Sequence, residues 1–201
     1  ITIRHVDTTE MEQLAGNSHH QGVYVSYQPV QMGHGELVKA LEKKVSEKQP
    51  VLLLVLDGVQ DPHNLGACMR TAWAAGAMAV VGPKDGACGL TPTVHKVASG
   101  AAACLPYVPV TNLATFLREI KSLGVWLYGA DEGAKGSLYQ VDTSGAIAMV
   151  MGAEGSGLRQ LTQKQCDGLF HIPTQAHFST LNVSVATGVA LFEVMRQRMS
   201  A

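Results

Sequence analysis

An asparagine and an arginine, six residues apart, follow the first long apolar run of the chain. The run covers residues 51–56, and Asn64 and Arg70 lie in the small-residue stretch after it. An uninterrupted apolar run is typical of a strand buried on both faces of a parallel sheet. Because ligands bind beyond the carboxyl ends of such strands, we expect Asn64 and Arg70 to lie where chemistry is done. The alternative is a turn in which Asn64 caps the following helix and Arg70 lies on the surface.

A glycine-rich loop with a single acid follows a second apolar run. The run covers residues 146–151, and Gly152, Glu154, Gly155 and Gly157 come after it. Glycines let the backbone approach a ligand closely, and the start of the next helix offers unpaired N–H groups. The loop has neither the Gly-Lys-Ser/Thr of a P-loop nor the spacing of a dinucleotide fingerprint. It is interpreted either as a site for a nucleotide-like ligand or as an ordinary strand-to-helix turn.

Polar residues also cluster before the closing helix. Ile172 and Pro173 end the last predicted strand, and Thr180 and Asn182 precede an apolar helix. An N-cap accounts for one of these polar residues. It does not account for the whole cluster, which favours a functional role.

Apolar runs alternate with helical patterns through most of the chain, and these elements must position the three loops. Strands are predicted over 51–56, 77–81, 105–108, 125–128, 146–151 and 169–172, with a further strand-like piece over 22–27. Helices are predicted over 33–48, 65–75, 94–100, 112–123 and 183–199, with a short one after residue 157. The alternation is typical of βαβ units. We therefore predict an α/β fold, a mostly parallel sheet with helices on both faces.

The composition restricts the classes of protein. A length of 201 residues suits one sizeable domain or one domain with a short appendage, and we favour one domain. The formal net charge of -1 does not by itself indicate a nucleic acid or a membrane surface. Four scattered cysteines without a Cys-x-x-Cys pair argue against a zinc site and a disulfide framework, and they favour a reducing cytoplasm. No apolar stretch reaches membrane-spanning length, so we expect no membrane partner. We also expect no metal.

Together the three loops resemble the three motifs of the SpoU/TrmH branch of the SPOUT family, the RNA 2′-O-ribose methyltransferases. Asn64, Arg70 and Gly76 match the first motif, residues 150–155 the second, and residues 172–173 with 181–186 the third. The resemblance runs from about residue 51 to 198 and is strongest to the members that methylate a guanosine ribose of bacterial large-subunit (23S) rRNA. The chain departs from the family pattern at Thr174 and Ala176, and at Thr180, where a hydroxyl is nevertheless kept.

The resemblance implies a C-terminal deep trefoil knot, a homodimer whose sites draw on both subunits, and S-adenosylmethionine as cofactor. The catalytic residues that it implies are Asn64, Arg70, Glu154, Thr180 and Asn182. The cofactor-binding residues that it implies are Gly152, Ile172 and Leu181. The closing helix carries an apolar stripe, Val183, Ala186, Ala190, Val194 and Met195. A second subunit and the core of the same chain are both possible partners for that stripe.

Arg70 matches the arginine that is the key residue of this family. Because a guanidinium stays protonated in proteins, we assign Arg70 to stabilising the ribose alkoxide and gripping the adjacent phosphate rather than to abstracting a proton. Asn64 is expected to orient the ribose or Arg70, and Glu154 to brace Asn64 or its own loop. The basic residues expected to contact RNA are Lys84, Lys96, Arg159 and Lys164.

The resemblance also implies a domain organisation. Residues 1–29 are expected to be the remnant of an N-terminal RNA substrate-binding domain, residues 30–50 a linker helix, and residues 51–201 the catalytic domain. The alternatives are a tRNA substrate, a catalytically silent RNA-binding homologue, and a Rossmann-type oxidoreductase. The presence of Asn64, Arg70, Glu154 and Asn182 argues against a silent homologue, and the missing G-x-G-x-x-G after the first strand argues against an oxidoreductase.

Overall fold

Seven parallel strands form one sheet in the computed structural model, which describes residues 2–16, 18, 20, 22–28, 30–175 and 181–200. The strands are β1 (Val51–Asp57), β2 (Ala79–Pro83), β3 (Tyr107–Val110), β4 (Trp126–Ala130), β5 (Gly136–Ser137), β6 (Ala146–Gly152) and β7 (Gly168–His171). Their order across the sheet is β3-β2-β1-β6-β4-β7-β5, and every neighbouring pair is parallel. The predicted α/β class is confirmed, and the trefoil knot stays a prediction.

Helices cover both faces of the sheet. They are α1 (Thr8–Ala15), α2 (His34–Ser46), α3 (Pro62–Ala74), α4 (Pro92–Val97), α5 (Ala101–Cys104), α6 (Leu113–Ser122), α7 (Gln160–Gln163) and α8 (Val183–Ser200), and a 3₁₀ turn spans Leu138–Gln140. One core cluster joins α3, α4, α5 and α8 to the sheet, and a second joins α2 and α6 to the opposite face. No helix within the described ranges is long and apolar enough to cross a membrane.

The strand β1 supplies side chains to both core clusters. Leu52 and Leu54 pack on the face covered by α3 and α8, whereas Leu53 and Val55 pack on the face covered by α2 and α6. Successive side chains of a strand point to opposite faces, so a strand covered on both sides must be apolar at every position. All seven residues of β1 are buried, as the uninterrupted apolar run predicts.

Two local predictions are wrong. Helix α3 begins at Pro62, and its N-cap is Asp61, whose Oδ1 accepts a hydrogen bond from the His63 N–H at 3.0 Å. Proline is favoured at the first helical position, which moves the start upstream and leaves Asn64 inside the first turn instead of at the cap. Residues 22–27, predicted as a strand-like piece, form no strand. The Tyr27 hydroxyl instead forms a hydrogen bond of 2.9 Å with His95 Nδ1 of α4.

The apolar stripe on α8 packs within its own chain. Val183, Ala190 and Val194 are buried in the core cluster that contains α3, and Ala186 and Met195 pack against it. The partner of this stripe is therefore the core of the same chain. A different side of α8 exposes Val185, Phe192 and Met199.

Arg198 anchors the end of α8 to the amino-terminal edge of the sheet. Its Nε donates to the Thr143 carbonyl oxygen at 2.9 Å. Its Nη2 donates to the carbonyl oxygens of Val51 at 2.8 Å and Gly145 at 2.7 Å, which lie at the starts of β1 and β6. Hydrogen bonds from a charged donor stabilise more than neutral ones, so this residue fixes the helix that carries the third motif.

The substitution Arg198→Met is expected to lower the free energy of unfolding by about 2–3 kcal/mol, because three carbonyl groups lose a charged donor. The matched control is Arg118→Met on α6. Arg118 is exposed and its side chain has no hydrogen bond among the described residues, so we expect a change within about 0.5 kcal/mol. Urea unfolding followed by circular dichroism measures both values, and equal values for the two variants would contradict the anchoring role.

Candidate active site at the carboxyl end of the sheet

The first two motif loops leave adjacent strands at the same edge of the sheet. β1 and β6 are paired in register up to Asp57 and Gly152, their last residues. The chain proceeds from β1 outward to β2 and β3, whereas β4, β7 and β5 lie on the other side of β6. In open parallel sheets, ligands bind at such a change of direction, outside the carboxyl ends of the strands. The topology thus places the first two motif loops where ligands bind in parallel sheets.

A hydrogen-bonded group of Asn64, Glu154 and Asn182 joins the three motifs. The Asn182 amide nitrogen Nδ2 donates to Asn64 Oδ1 at 3.0 Å and also to Glu154 Oε1. Asn182 Oδ1 accepts from the backbone N–H of Ser184 at 2.9 Å and from its hydroxyl at 2.6 Å. Asn182 is therefore both the cap of α8 and the central member of the group. Its donors and its acceptor are all occupied, which fixes the orientation of the amide.

Gly152 allows the second loop to fold back on the end of β6. Ala153 and Gly157 exchange two backbone hydrogen bonds of 3.2 and 2.9 Å, which close the loop. A Cβ atom at Gly152 would lie 2.2 Å from the carbonyl carbon of Gly157. Any side chain here would therefore collide with the backbone. The glycine is required by the chain itself, in addition to any ligand that approaches it.

Asp57 fastens the far end of the same loop, a role that our reasoning from the sequence missed. Its carboxylate is buried, accepts from the Arg159 backbone N–H at 2.9 Å and from Arg159 Nε at 2.6 Å, and also pairs with Nη2. A buried carboxylate must be paired, so the acid that ends the apolar run was the available signal. Arg159 was expected to contact RNA. Its guanidinium is instead paired with Asp57, although half of the side chain remains exposed.

A cleft of about 890 Å³ lies between the second loop, the end of β7 and the start of α8. All three predicted cofactor-binding residues, Gly152, Ile172 and Leu181, line it, and so do Glu154 and Asn182. This volume is within the range of about 300–1,000 Å³ that is typical of small-molecule sites. The cleft is thus the candidate cofactor site, and the structure brings five of the predicted residues to it.

The chemistry of the cleft fits S-adenosylmethionine. Asp131 and Glu132, at the end of β4, add two carboxylates to that of Glu154, and no Lys or Arg is present among the described lining residues. Met151 and Phe170 supply apolar wall. S-adenosylmethionine has a flat aromatic purine and a net positive charge, since its sulfonium and ammonium outweigh its one carboxylate, so an acidic cleft with apolar walls suits it. The two acids of β4 were not predicted, because nothing in the sequence placed β4 beside the motif loops.

A second cavity of about 410 Å³ adjoins the cleft. Ala153, Glu154, Ser156 and Val183 line both spaces. The segment from the end of β1 to the first turn of α3 contributes Asp57, Gly58, Val59, Gln60, Asp61 and Asn64, and Gly86 and Arg159 complete the lining of the second cavity. The hydrogen-bonded group therefore lies at the boundary, since Asn182 lines the cleft, Asn64 lines the second cavity, and Glu154 lines both.

The structure does not bring Arg70 to this group within one chain. Arg70 is exposed on α3, lines neither cavity, and donates from Nη1 to the Ser99 hydroxyl at 3.3 Å. Six residues along an α-helix correspond to about 1.7 turns, so Arg70 is about 120° around the helix from Asn64. Thr180, the remaining predicted catalytic residue, lies outside the described residues.

Other kinds of site find no support in the described part of the chain. It contains no group of three or more His, Cys, Asp or Glu side chains that is arranged to hold a metal ion. Burial raises the pKa of Cys68 to about 11 and that of Cys166 to about 12, so both thiols stay protonated near neutral pH. Neither cysteine is therefore poised as a nucleophile.

Comparison with known proteins agrees with the geometry. The sequence model of the SpoU rRNA Methylase family matches residues 51–192. The 23S rRNA (guanosine-2'-O-)-methyltransferase RlmB of Xanthomonas campestris pv. campestris is 48% identical over 201 residues, which are 100% of this chain and 80% of that protein. The protein of the same name from Ralstonia nicotianae is 50% identical over 194 residues, which are 96% of this chain and 76% of that protein.

A solved structure has the same fold and contains the expected cofactor. It is the crystal structure of the SpoU methyltransferase AviRb from Streptomyces viridochromogenes in complex with AdoMet, with a TM-score of 0.70 and 26% sequence identity. The match covers 75% of this chain and 59% of that chain. With the family match over the three motif loops and curated relatives along the whole length, this chain belongs to the SpoU rRNA methylase family.

Proposed function

We propose that this chain transfers a methyl group from S-adenosylmethionine to the ribose 2′-hydroxyl of a guanosine in 23S rRNA. The observation that carries the proposal is the Asn64, Glu154 and Asn182 group, which unites three motif loops at the boundary between two adjoining cavities. Relatives at 48% and 50% identity whose names specify this reaction support the choice of rRNA over tRNA.

The cleft holds the cofactor in this proposal. Gly152, Ile172 and Leu181 line it on three sides, and the carboxylates of Asp131 and Glu132 complement a cation. When bound, S-adenosylmethionine supplies an electrophilic methyl group on its sulfonium. The residues of the chain then have two tasks, which are to align the ribose hydroxyl and to stabilise its developing negative charge.

Alignment falls to the hydrogen-bonded group. Asn64 lines the second cavity, its Oδ1 accepts from Asn182, and its Nδ2 group has no partner among the described residues. It is available to donate to an acceptor atom of the bound nucleoside. Glu154 braces the amide of Asn182 through one oxygen and keeps its other oxygen as an acceptor. From the family resemblance, we assign a hydroxyl of the reaction site to Thr180.

Arg70 stabilises the negative charge that develops on the ribose oxygen, and this role requires a homodimer. Arg70 lies outside both cavities of its own chain, so we place Arg70 of the partner subunit at the ribose alkoxide. The exposed side of α8 supports association, since Val185, Phe192 and Met199 are 52%, 50% and 82% exposed and recur every seven residues. A stripe with this spacing follows one side of a helix.

The proposal extends to the organisation and location of the protein. Residues 1–29 belong to an N-terminal RNA-binding domain, residues 30–50 form the linker helix, and residues 51–201 form the catalytic domain with its trefoil knot. The family match that begins at residue 51 and the absence of buried residues in α1 support this division. An rRNA substrate and the scattered, unpaired cysteines support a cytoplasmic location.

The reaction itself is tested by mapping. The purified protein and methyl-labelled S-adenosylmethionine are incubated with unmodified 23S rRNA, and ribose methylations are mapped by resistance to alkaline hydrolysis. We expect one 2′-O-methylguanosine, which is missing from the rRNA of a deletion strain. Methylation of tRNA in place of 23S rRNA would overturn the assignment of the substrate, and no labelling of either RNA would overturn the reaction.

The substitution Asn182→Asp tests the hydrogen-bonded group. Aspartate still caps α8, but it cannot donate to Asn64 and it repels Glu154, so we expect the turnover number to fall about 100-fold while the helix content is kept. The matched control is Asn112→Asp, which changes an N-cap of the same type on α6, where Asn112 accepts from the Thr115 N–H at 3.0 Å. Equal turnover for the two variants would remove the group from the mechanism.

The substitution Gly152→Ala tests the cofactor cleft without RNA. The added Cβ must displace the backbone at Gly157, so the dissociation constant of S-adenosylmethionine is expected to rise about tenfold or more. Gly145→Ala, just before the other end of β6, is the control because no atom lies within 4 Å of its added Cβ. Isothermal titration calorimetry measures both values. An unchanged dissociation constant for Gly152→Ala would place the cofactor elsewhere.

Complementation tests the shared site. Arg70→Ala and Asn182→Asp are each expected to be inactive as pure homodimers, whereas co-expression places an intact Arg70 and an intact Asn182 in one site of each mixed dimer. We expect about a quarter of the wild-type activity, because half of randomly assorted dimers are mixed and each has one complete site of two. In a separate sedimentation experiment, the variant Phe192→Glu is expected to be monomeric, because it places a charge on the exposed apolar stripe of α8. A lack of complementation in proven mixed dimers would place both residues in the same chain's site.

A further inference from the structure

We propose that the second cavity is the pocket for the base of the target nucleotide, and that Asp61 recognises the Watson–Crick edge of guanine there. This inference rests on the proposed function and adds a binding site to it. The cavity of about 410 Å³ has the size of a small-molecule site and opens on the cofactor cleft through four shared lining residues. A ribose at that boundary has the cleft on one side and the second cavity on the other.

Several polar groups that line the second cavity have no hydrogen-bond partner among the described residues. Asn64 is 8% exposed, and its Nδ2 group donates to no described residue. Asp61 uses Oδ1 to accept from the His63 N–H, while Oδ2 and the whole amide of Gln60 have no partner among the described residues. Asp57, by contrast, is fully occupied by Arg159. The NH₂ group of the nearly buried Asn64 side chain and the exposed polar groups of Asp61 and Gln60 are therefore available to a ligand.

The charge of the cavity selects the part of the nucleotide that enters it. Three carboxylates line it, those of Asp57, Asp61 and Glu154, and the cation Arg159 is already paired with the first of them. An anionic phosphate is repelled by the two remaining carboxylates. The occupant must instead present N–H donors to Asp61 and Glu154 and acceptors to Asn64 and Gln60. A nucleobase that has left its stack presents both.

Guanine matches this set better than the other bases. Its N1–H and N2–H₂ are adjacent, parallel donors that suit a carboxylate, and its O6 and N7 are acceptors. Adenine and cytosine each present an amino group beside an acceptor nitrogen, and uracil presents a single N–H between two carbonyls. A carboxylate repels the acceptor nitrogen that lies beside the amino group of adenine or cytosine, so Oδ2 of Asp61 favours guanine, in agreement with the guanosine named for the relatives.

The substitution Asp61→Asn tests this recognition. Asparagine caps a helix as well as aspartate does, so α3 is preserved while one acceptor on the cavity side becomes a donor. The substrates are two copies of an rRNA fragment that carry either guanosine or inosine, which lacks the 2-amino group, at the mapped target. We expect the wild type to prefer guanosine about tenfold in kcat/KM and Asp61→Asn to lose this preference. The control, Asp85→Asn, removes an exposed carboxylate outside the cavity and is expected to keep it.

The outcomes separate this inference from the proposed function. Equal methylation of both RNAs by the wild type, or a preference that persists in Asp61→Asn, would overturn base recognition by Asp61 and leave the methyltransferase in place. A rise in the dissociation constant of S-adenosylmethionine or a drop in thermal stability in Asp61→Asn would show that Asp61 acts through the fold, which also overturns the inference. Failure of the wild type to methylate either RNA would overturn both.

Discussion

The amide of Asn182 is the interaction on which the arrangement of the site depends. A single side-chain amide has two donor hydrogens and one acceptor oxygen, and here each is used for a different purpose. The donors hold Asn64 of the first motif and Glu154 of the second, while the oxygen caps the helix that carries the third motif. Because the cap fixes Asn182 and Asn182 fixes the other two, the position of the group is set by the start of α8.

The surrounding fold keeps these loops within reach of one another. β1 and β6 end side by side, so the turn at residues 58–61 and the loop at residues 153–158 begin as neighbours. Gly152 lets the second loop close tightly, and the Asp57 to Arg159 pair holds its far end to β1. At the opposite edge of the sheet, Arg198 ties the end of α8 to the starts of the same two strands. Both ends of the site are therefore fastened to one pair of central strands.

The sequence predicted the long elements and the membership of the site well, for physical reasons that particular residues show. The run at 51–56 is apolar at every position, which only a strand covered on both faces requires, and Gly152, Glu154, Ile172, Leu181 and Asn182 line one cleft as the resemblance implies. The strand order could not be predicted, because placing β6 between β1 and β4 depends on contacts between distant parts of the chain. For the same reason, Asp131 and Glu132 went unnoticed. The cap of α3 was misassigned to Asn64 because Pro62 starts the helix earlier.

The electrostatics of a single chain support the proposal that Arg70 acts in the site of a neighbouring subunit. Both cavities are lined by carboxylates. The guanidinium of Arg159, which lines only the second cavity, is neutralised by Asp57. Such an environment suits a sulfonium cofactor and a donor-rich base, but it opposes the negative charge that develops on a ribose oxygen. A cation fixed permanently inside the cleft would repel the cofactor. A cation delivered from a second subunit at the boundary between the cavities reaches the ribose without entering the cofactor cleft. On this proposal the exposed position of Arg70 on α3 is a requirement of the chemistry, since one chain cannot satisfy both charges in the same space.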